Sequence, residues 1–221
     1  MKGPTRRSLL ASLGLAPWAG AALAWATEGG TRSAAPARLS PRERIQRHHL
    51  PNLELTTHEG VQVRFYDDLV KDRKVAINFM YVKCEGICVP TTSNLVRVQK
   101  MLNGRVGRDI FFYSITLKPE EDTPADLKRY AEMHGVGPGW LFLTGAPGDI
   151  EKLRRALGFT YDDPVEDADK SNHIGMVRLG VEPALRWAAC PGMARPEQTL
   201  RTMLFEFDSP SLKGIPIYEG K

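Results

Sequence analysis

Two cysteines four residues apart, Cys84 and Cys88, lie in the stretch Tyr81-Val82-Lys83-Cys84-Glu85-Gly86-Ile87-Cys88-Val89-Pro90. Here an apolar run, Val75-Ala76-Ile77-Asn78-Phe79-Met80, gives way to a helical pattern. If Cys88 begins the helix, the unbonded N–H groups and dipole of the first turn favour thiolate over thiol. The spacing lets both sulfurs meet on one side of the turn. Such a pair can close into a disulfide, exchange with another protein's disulfide, or hold a soft metal ion. A third residue decides among these, and the candidate is His173. A merely structural disulfide is the plainer alternative, but so short a loop removes little entropy from the unfolded chain, which favours redox or metal duty. His173 taken alone reads as a surface residue at the start of a strand.

Several elements must position these residues. Val61-Gln62-Val63-Arg64-Phe65 alternates like a half-buried strand, and Lys74 to Met80 is dense enough in apolar residues for a buried one. After the cysteine turn, Leu95, Val96, Val98, Met101 and Leu102 form a helical apolar face that ends near Gly104. Ile110 to Ile115 is the next strand, which completes a βαβ unit with parallel strands. Asp122-Thr123-Pro124 opens a helix that runs to Met133, where His134 offers a favourable charge at the C-terminal end. Trp140 to Leu143 is a short strand, and Ala146-Pro147-Gly148-Asp149 opens a helix closed by Gly158. A polar stretch with an acidic run, Asp162 to Asp169, reads as a solvated loop that delivers His173. A hairpin (Ile174 to Leu179, then Ala184 to Ala189) and a helix from Pro196 to Phe207 follow. This order predicts an α/β, thioredoxin-like fold: a central mixed sheet flanked by helices, with an added helix before the final hairpin. Cys190, Met176, Met193 and Met203 read as packing residues.

At 221 residues the chain fits one medium domain plus extra segments. The net charge of +4 is unevenly placed. Residues 1–47 carry eight basic and two acidic side chains, which leaves −2 for the rest and argues against nucleic-acid binding. Residues 1–26 look like an export signal: Arg6-Arg7 precede an acid-free apolar stretch, and Ala22-Leu23-Ala24 offers a cleavage site. Thr5 before the arginines and Leu9-Leu10 after them resemble a twin-arginine leader; an ordinary secretory signal and an uncleaved N-terminal anchor are the alternatives. No cysteine precedes Cys84, which excludes a lipid-modified N-terminal cysteine. Residues 27–52, rich in Ala, Pro, Arg and Ser, read as a linker with His48-His49 exposed near its end, and residues 53–221 as the domain. The expected location is the periplasm, either released or held at the outer face of the inner membrane by the N-terminal segment.

Four stretches match one family in the right order. They are Cys84 to Pro90 after an apolar strand, Tyr113-Ser114-Ile115-Thr116-Leu117-Lys118-Pro119-Glu120-Glu121-Asp122-Thr123-Pro124, Gly139-Trp140-Leu141-Phe142-Leu143-Thr144-Gly145, and Asn172-His173-Ile174-Gly175. From about Leu53 to Phe207 the chain resembles the SCO/SenC family. The resemblance implies a membrane-associated or periplasmic thioredoxin-like metallochaperone that binds copper, Cu(I) or Cu(II), through Cys84, Cys88 and His173. Its implied role is to deliver copper to, or prepare, the CuA centre of cytochrome c oxidase. The implied partners are the copper subunit of the oxidase or another copper enzyme, and other copper chaperones; the chain is expected to be a monomer. Two thiolates and a neutral imidazole suit copper and can pass it on by exchanging ligands one at a time, which a closed zinc site resists.

The chain departs from the family where Glu85 and Val89 stand at positions commonly held by proline, and where Lys118 and Glu121 replace an acid and an arginine. If Lys118 approaches the site, it stabilises thiolates and repels an incoming copper ion. The alternative function is a periplasmic thiol-disulfide oxidoreductase that reduces the cysteines of a copper-site apoprotein. It needs Cys84 and Cys88 as redox-active thiols but not His173. A peroxiredoxin-like peroxidase ranks third, because Tyr81 stands where such enzymes place Thr or Ser.

Overall fold

A computed structural model describes the protein over residues 39–172 and 174–209, with Asn172 by its backbone alone. At its centre lies β3 (Lys74–Met80), which is buried along its whole length after Lys74. It pairs in parallel with β4 (Ile110–Thr116), which pairs in parallel with β5 (Trp140–Gly145). An inner strand covered on both faces needs apolar residues with little alternation, and the sequence of β3 has them. Antiparallel strands extend the sheet at both edges: β1 (Glu54–Thr57) and β2 (Gln62–Arg64) beyond β5, β6 (Met176–Val181) and β7 (Arg186–Pro191) beyond β3. The seven strands run β2-β1-β5-β4-β3-β6-β7. This is the expected thioredoxin-like mixed sheet, flanked by helices.

The βαβ unit forms through α2 (Cys88–Met101), which buries Cys88, Thr91, Thr92, Leu95, Val96, Val98 and Gln99. The expected apolar face was partly misplaced, since Met101 is exposed and polar residues take its role. Thr92 bonds the Tyr130 hydroxyl, while the Gln99 side chain donates to Pro138 O and accepts from Gly137 N. Helix α3 (Pro124–Met133) opens with a reciprocal cap between Thr123 and Asp126. Helix α4 (Pro147–Ala156) is the added helix before the hairpin, and α6 (Pro196–Asp208) packs on α2 and on the hairpin.

Three expectations are corrected. The strand from Val61 to Phe65 stops at Arg64, because Phe65–Val70 winds into a π-helical turn that buries Phe65, Tyr66, Leu69 and Val70. Asp68 accepts from Arg64 N and Asn52 from Tyr66 N and Asp67 N, so side chains satisfy the backbone that leaves the sheet. The acidic run is not a solvated loop throughout. Asp163 caps a short helix, α5 (Pro164–Ala168), and Asp167 is buried against Arg154.

Within the stretch expected as linker, residues 41–49 form α1 (Pro41–His49), capped by Ser40 and Glu43, and the unit that holds the sheet begins at Leu39. Arg42 anchors the helix by donating to Glu182, which is fully buried in the turn between β6 and β7. That carboxylate also accepts from the Tyr66 hydroxyl and from Asp72 N, so its burial is compensated. Residues 1–26, the expected export signal, lie outside the described residues. Among the described residues no helix is long and apolar enough to cross a membrane.

Candidate metal centre

The chain leaves β3 at Met80 and turns through Tyr81-Val82-Lys83 to Cys84, whose N–H reaches Tyr81 O at 3.3 Å. Cys88 is the first residue of α2, as the junction predicted. No side chain caps this helix at Ile87. Instead the Cys84 sulfur receives the backbone N–H groups of Cys88 and Gly86, the Cys88 thiol and the Tyr81 hydroxyl. Both cysteines are buried thiols, at 6 % and 2 % exposure.

The two acidities split in the opposite sense to the sequence expectation for Cys88. Burial pushes the Cys84 thiol up, but the hydrogen bonds from Cys88, Gly86 and Tyr81 outweigh it and hold the group below the ordinary thiol range. Burial pushes Cys88 well up, reinforced by its hydrogen bond to Cys84 and by the nearby Asp122 carboxylate. The helix start therefore acts on the sulfur that caps it rather than on the cysteine within it.

Three neighbours complete the surroundings. Tyr81 is pushed up to about 12 by burial and by its bond to Cys84. Asp122, 2 % exposed, accepts from Val82 N at 3.1 Å and from the Thr116 hydroxyl at 2.5 Å; burial raises its carboxyl above the usual range against these bonds. The sequence reading took Asp122 as part of a helix start, whereas Thr123 is the cap and Asp122 points inward. Lys118 lies over the Tyr81 ring, 4.6 Å from its centroid, and 3.5 Å from Glu121. The cation thus has a ring and a carboxylate beside it.

His173 lies outside the described residues. Of the segments that flank it, one packs on the thiol turn and the other is felt there electrostatically. On one side the Asp169 charge acts on Tyr81 and on Lys118. On the other, Gly175 backs onto Ile87 so closely that an added Cβ would stand 2.7 Å from Ile87 Cδ1. Gly192 N bonds Gly175 O, and Asn94 on α2 donates to Gly192 O and Ala194 O, which clamps the hairpin end to the helix that starts with Cys88. Two soft sulfur donors are together; among the described residues no group of three His, Cys, Asp or Glu side chains could hold a metal ion.

The remaining candidates sit elsewhere. Cys190 is buried, and burial pushes its thiol up to about 11. Met203 is in the core and Met176 half-buried, but Met193 is exposed, contrary to its reading as packing. Burial lowers the pKa of His134, whose ring packs 4.3 Å from that of Tyr130, and so disfavours the charge expected at this helix end. His48 and His49 are exposed on α1.

The model of the SCO1/SenC family matches residues 42–200. A Stutzerimonas stutzeri protein named as copper-binding is 30 % identical over 151 residues, covering 67 % of this chain and 70 % of its own length. Yeast Sco1, solved with copper bound, superposes with a TM-score of 0.56 at 19 % identity, over 73 % of this chain and 98 % of that one. A SCO1/SenC family lipoprotein of Bacillus anthracis superposes at 0.58 with 23 % identity, over 71 % and 94 %. The structures establish likeness of fold, and the family match spans both the thiol turn and the hairpin. The chain belongs to the SCO1/SenC family.

Proposed function

We propose that this protein is a copper-binding assembly factor that carries copper on Cys84, Cys88 and His173 and delivers it to, or prepares, the CuA centre of cytochrome c oxidase. The observation that supports it most directly is the hydrogen bond between the two thiols, with the Cys84 thiol made more acidic than usual and so readier to ligate. Gly175, two residues along the chain from position 173, packs on Ile87, the neighbour of Cys88 in sequence, which supports the histidine as third ligand. Two thiolates and an imidazole form a soft set that suits Cu(I) and accepts Cu(II). Placement of Lys118 between Tyr81 and Glu121 moderates the repulsion that its charge would exert on an incoming ion. The copper-binding relative and the copper-bound yeast structure support the choice of metal. The protein works as a monomer outside the cytoplasm.

Anaerobic titration of the reduced protein with Cu(I) tests the reading. One tightly bound equivalent is expected, weakened by Cys84→Ser, Cys88→Ser or His173→Ala; failure to bind, or indifference to all three substitutions, would sink it.

The split acidities favour a second reading, thiol-disulfide exchange with a copper-site apoprotein. Cys84 is suited to attack and Cys88 to close the ring afterwards. Undiminished reduction of a disulfide-bearing target by His173→Ala would favour it over copper delivery.

A further inference from the structure

A cavity of about 290 Å³ opens between α1, the end of α4 and the hairpin of β6 and β7, and no residue of the thiol turn lines it. Its walls are mostly apolar, with Ile45 and Leu50 from α1 and the residue after it, Leu157 at the end of α4 and Leu185 from the turn, and His49 of α1 also lines it. Trp187 of β7 lies on the sheet directly over Gly180 of β6. A Cβ at position 180 would stand 2.3 Å from Trp187 Cζ3, so only glycine admits the indole there.

Arg178 also lines this cavity, and unlike Arg154 and Arg42 it has no carboxylate beside it. Arg154, 4 % exposed, donates to Glu151, Asp167 and Phe159 O. Arg42 is held by Glu182. The guanidinium of half-buried Arg178 makes no hydrogen bond or ion pair with a described residue and its Nε is sealed from water, as is the unmatched Trp187 Nε1. Burial alone acts on the guanidinium and lowers its pKa, with no acid to offset it. No acidic side chain among the described residues lines the cavity. A cation half-buried against apolar walls, with no acid beside it and one nitrogen sealed without an acceptor, is left short of partners. Arginine's planar fork suits a carboxylate, and apolar walls suit a hydrocarbon body.

We propose that this cavity binds a small monocarboxylate with an apolar body, its carboxylate on the Arg178 guanidinium and its hydrocarbon against Leu50, Leu157 and Leu185. The volume sits at the lower limit of small-molecule pockets, roughly 300 Å³, which fits a medium-chain or single-ring acid rather than a long-chain lipid. The site is independent of the copper chemistry, since it shares no residue with the thiol turn.

The test is calorimetric titration of the full reduced chain with octanoate, with octan-1-ol as the uncharged counterpart and tryptophan fluorescence as a second readout. One saturable equivalent of octanoate is expected, with octan-1-ol weaker. Arg178→Met keeps much of the side-chain bulk and should weaken octanoate binding roughly 10- to 100-fold, as expected for lost charge-assisted hydrogen bonds. Ile45→Trp, on the half-buried outer wall, should block entry while leaving Arg178 and the melting curve intact, and so decides the matter if Arg178→Met fails to fold. Absence of saturable binding, equal affinity for octan-1-ol, or full affinity in the folded variants would overturn the proposal. So would binding that appears only after residues 210–221 are removed, because the chain's own tail would then be the occupant.

Discussion

Gly175 backs directly onto Ile87, two residues after His173 on one side and one residue before Cys88 on the other. This contact joins the hairpin to the thiol turn, and its closeness makes position 175 sensitive to size. Gly175→Ala should be tolerated, because the atom it meets is the flexible tip of Ile87. Gly175→Val should cost about 1–3 kcal/mol by overpacking and loosen Cu(I), and Ile87→Ala should restore both. Thermal melts and a Cu(I) competition assay on the single and double variants check the pair; copper affinity unmoved by Gly175→Val would disconnect the contact from the site.

The split between the two thiols predicts an order of reaction. At neutral pH, iodoacetamide should modify Cys84 well before Cys88 or Cys190, since only Cys84 is held below its ordinary value. Tyr81→Phe removes one hydrogen bond to that sulfur. The loss should raise the apparent pKa of Cys84 and slow its alkylation by up to roughly tenfold, the size of one hydrogen bond. Peptide mapping across a pH series reads both effects, and faster labelling of Cys88 would reverse the assignment.

Asp122 faces Val82 N, the Thr116 hydroxyl and, electrostatically, Cys88. Asp122→Asn removes the negative charge and should lower the Cys88 pKa while costing about 1–3 kcal/mol from imperfect replacement of the buried bonds. Thiol titration followed on a Cys84→Ser background isolates Cys88. A Cys88 pKa that stays put would show that burial alone raises it.

The Arg154 cluster stabilises the segment that leads to His173. Arg154→Met leaves buried Asp167 with only the exposed Arg155 as its cation and should destabilise the fold by up to about 3–5 kcal/mol. In the parent protein the Arg154 guanidinium holds Asp167 far below the usual carboxylate range and Glu151 at about 2. Depressed carboxyl pKa values mean that the unfolded chain takes up protons first as the solution is acidified. The stabilisation is therefore complete above the ordinary carboxylate value of about 4 and is lost as pH falls toward the folded values. Urea melts from neutral pH down to acid, compared with Arg154→Met, should show the two converging at low pH.

Much of this was legible in the residues. Lys74 to Met80 has to be an inner strand because an unbroken apolar run has no other comfortable place in a mixed sheet, and Pro124, Pro147 and Pro196 each mark a first helical turn by their fixed backbone angle. The cap Ser40-Pro41-Arg42-Glu43 was equally readable, but a composition typical of linkers concealed it. What holds that helix is Arg42 reaching Glu182, a pairing of residues 140 apart that no local pattern announces.

The sequence alone determined which atoms are available for chemistry, because thiols at a strand-to-helix junction follow from local spacing and from the polarity of a helix start. Only the tertiary structure decided how they differ: Cys84 gathers N–H and hydroxyl donors, while Cys88 is buried beside Asp122, brought there from the far end of another strand. Acidity depends on the donors, charges and solvent around a group, and these are assembled from segments distant along the chain.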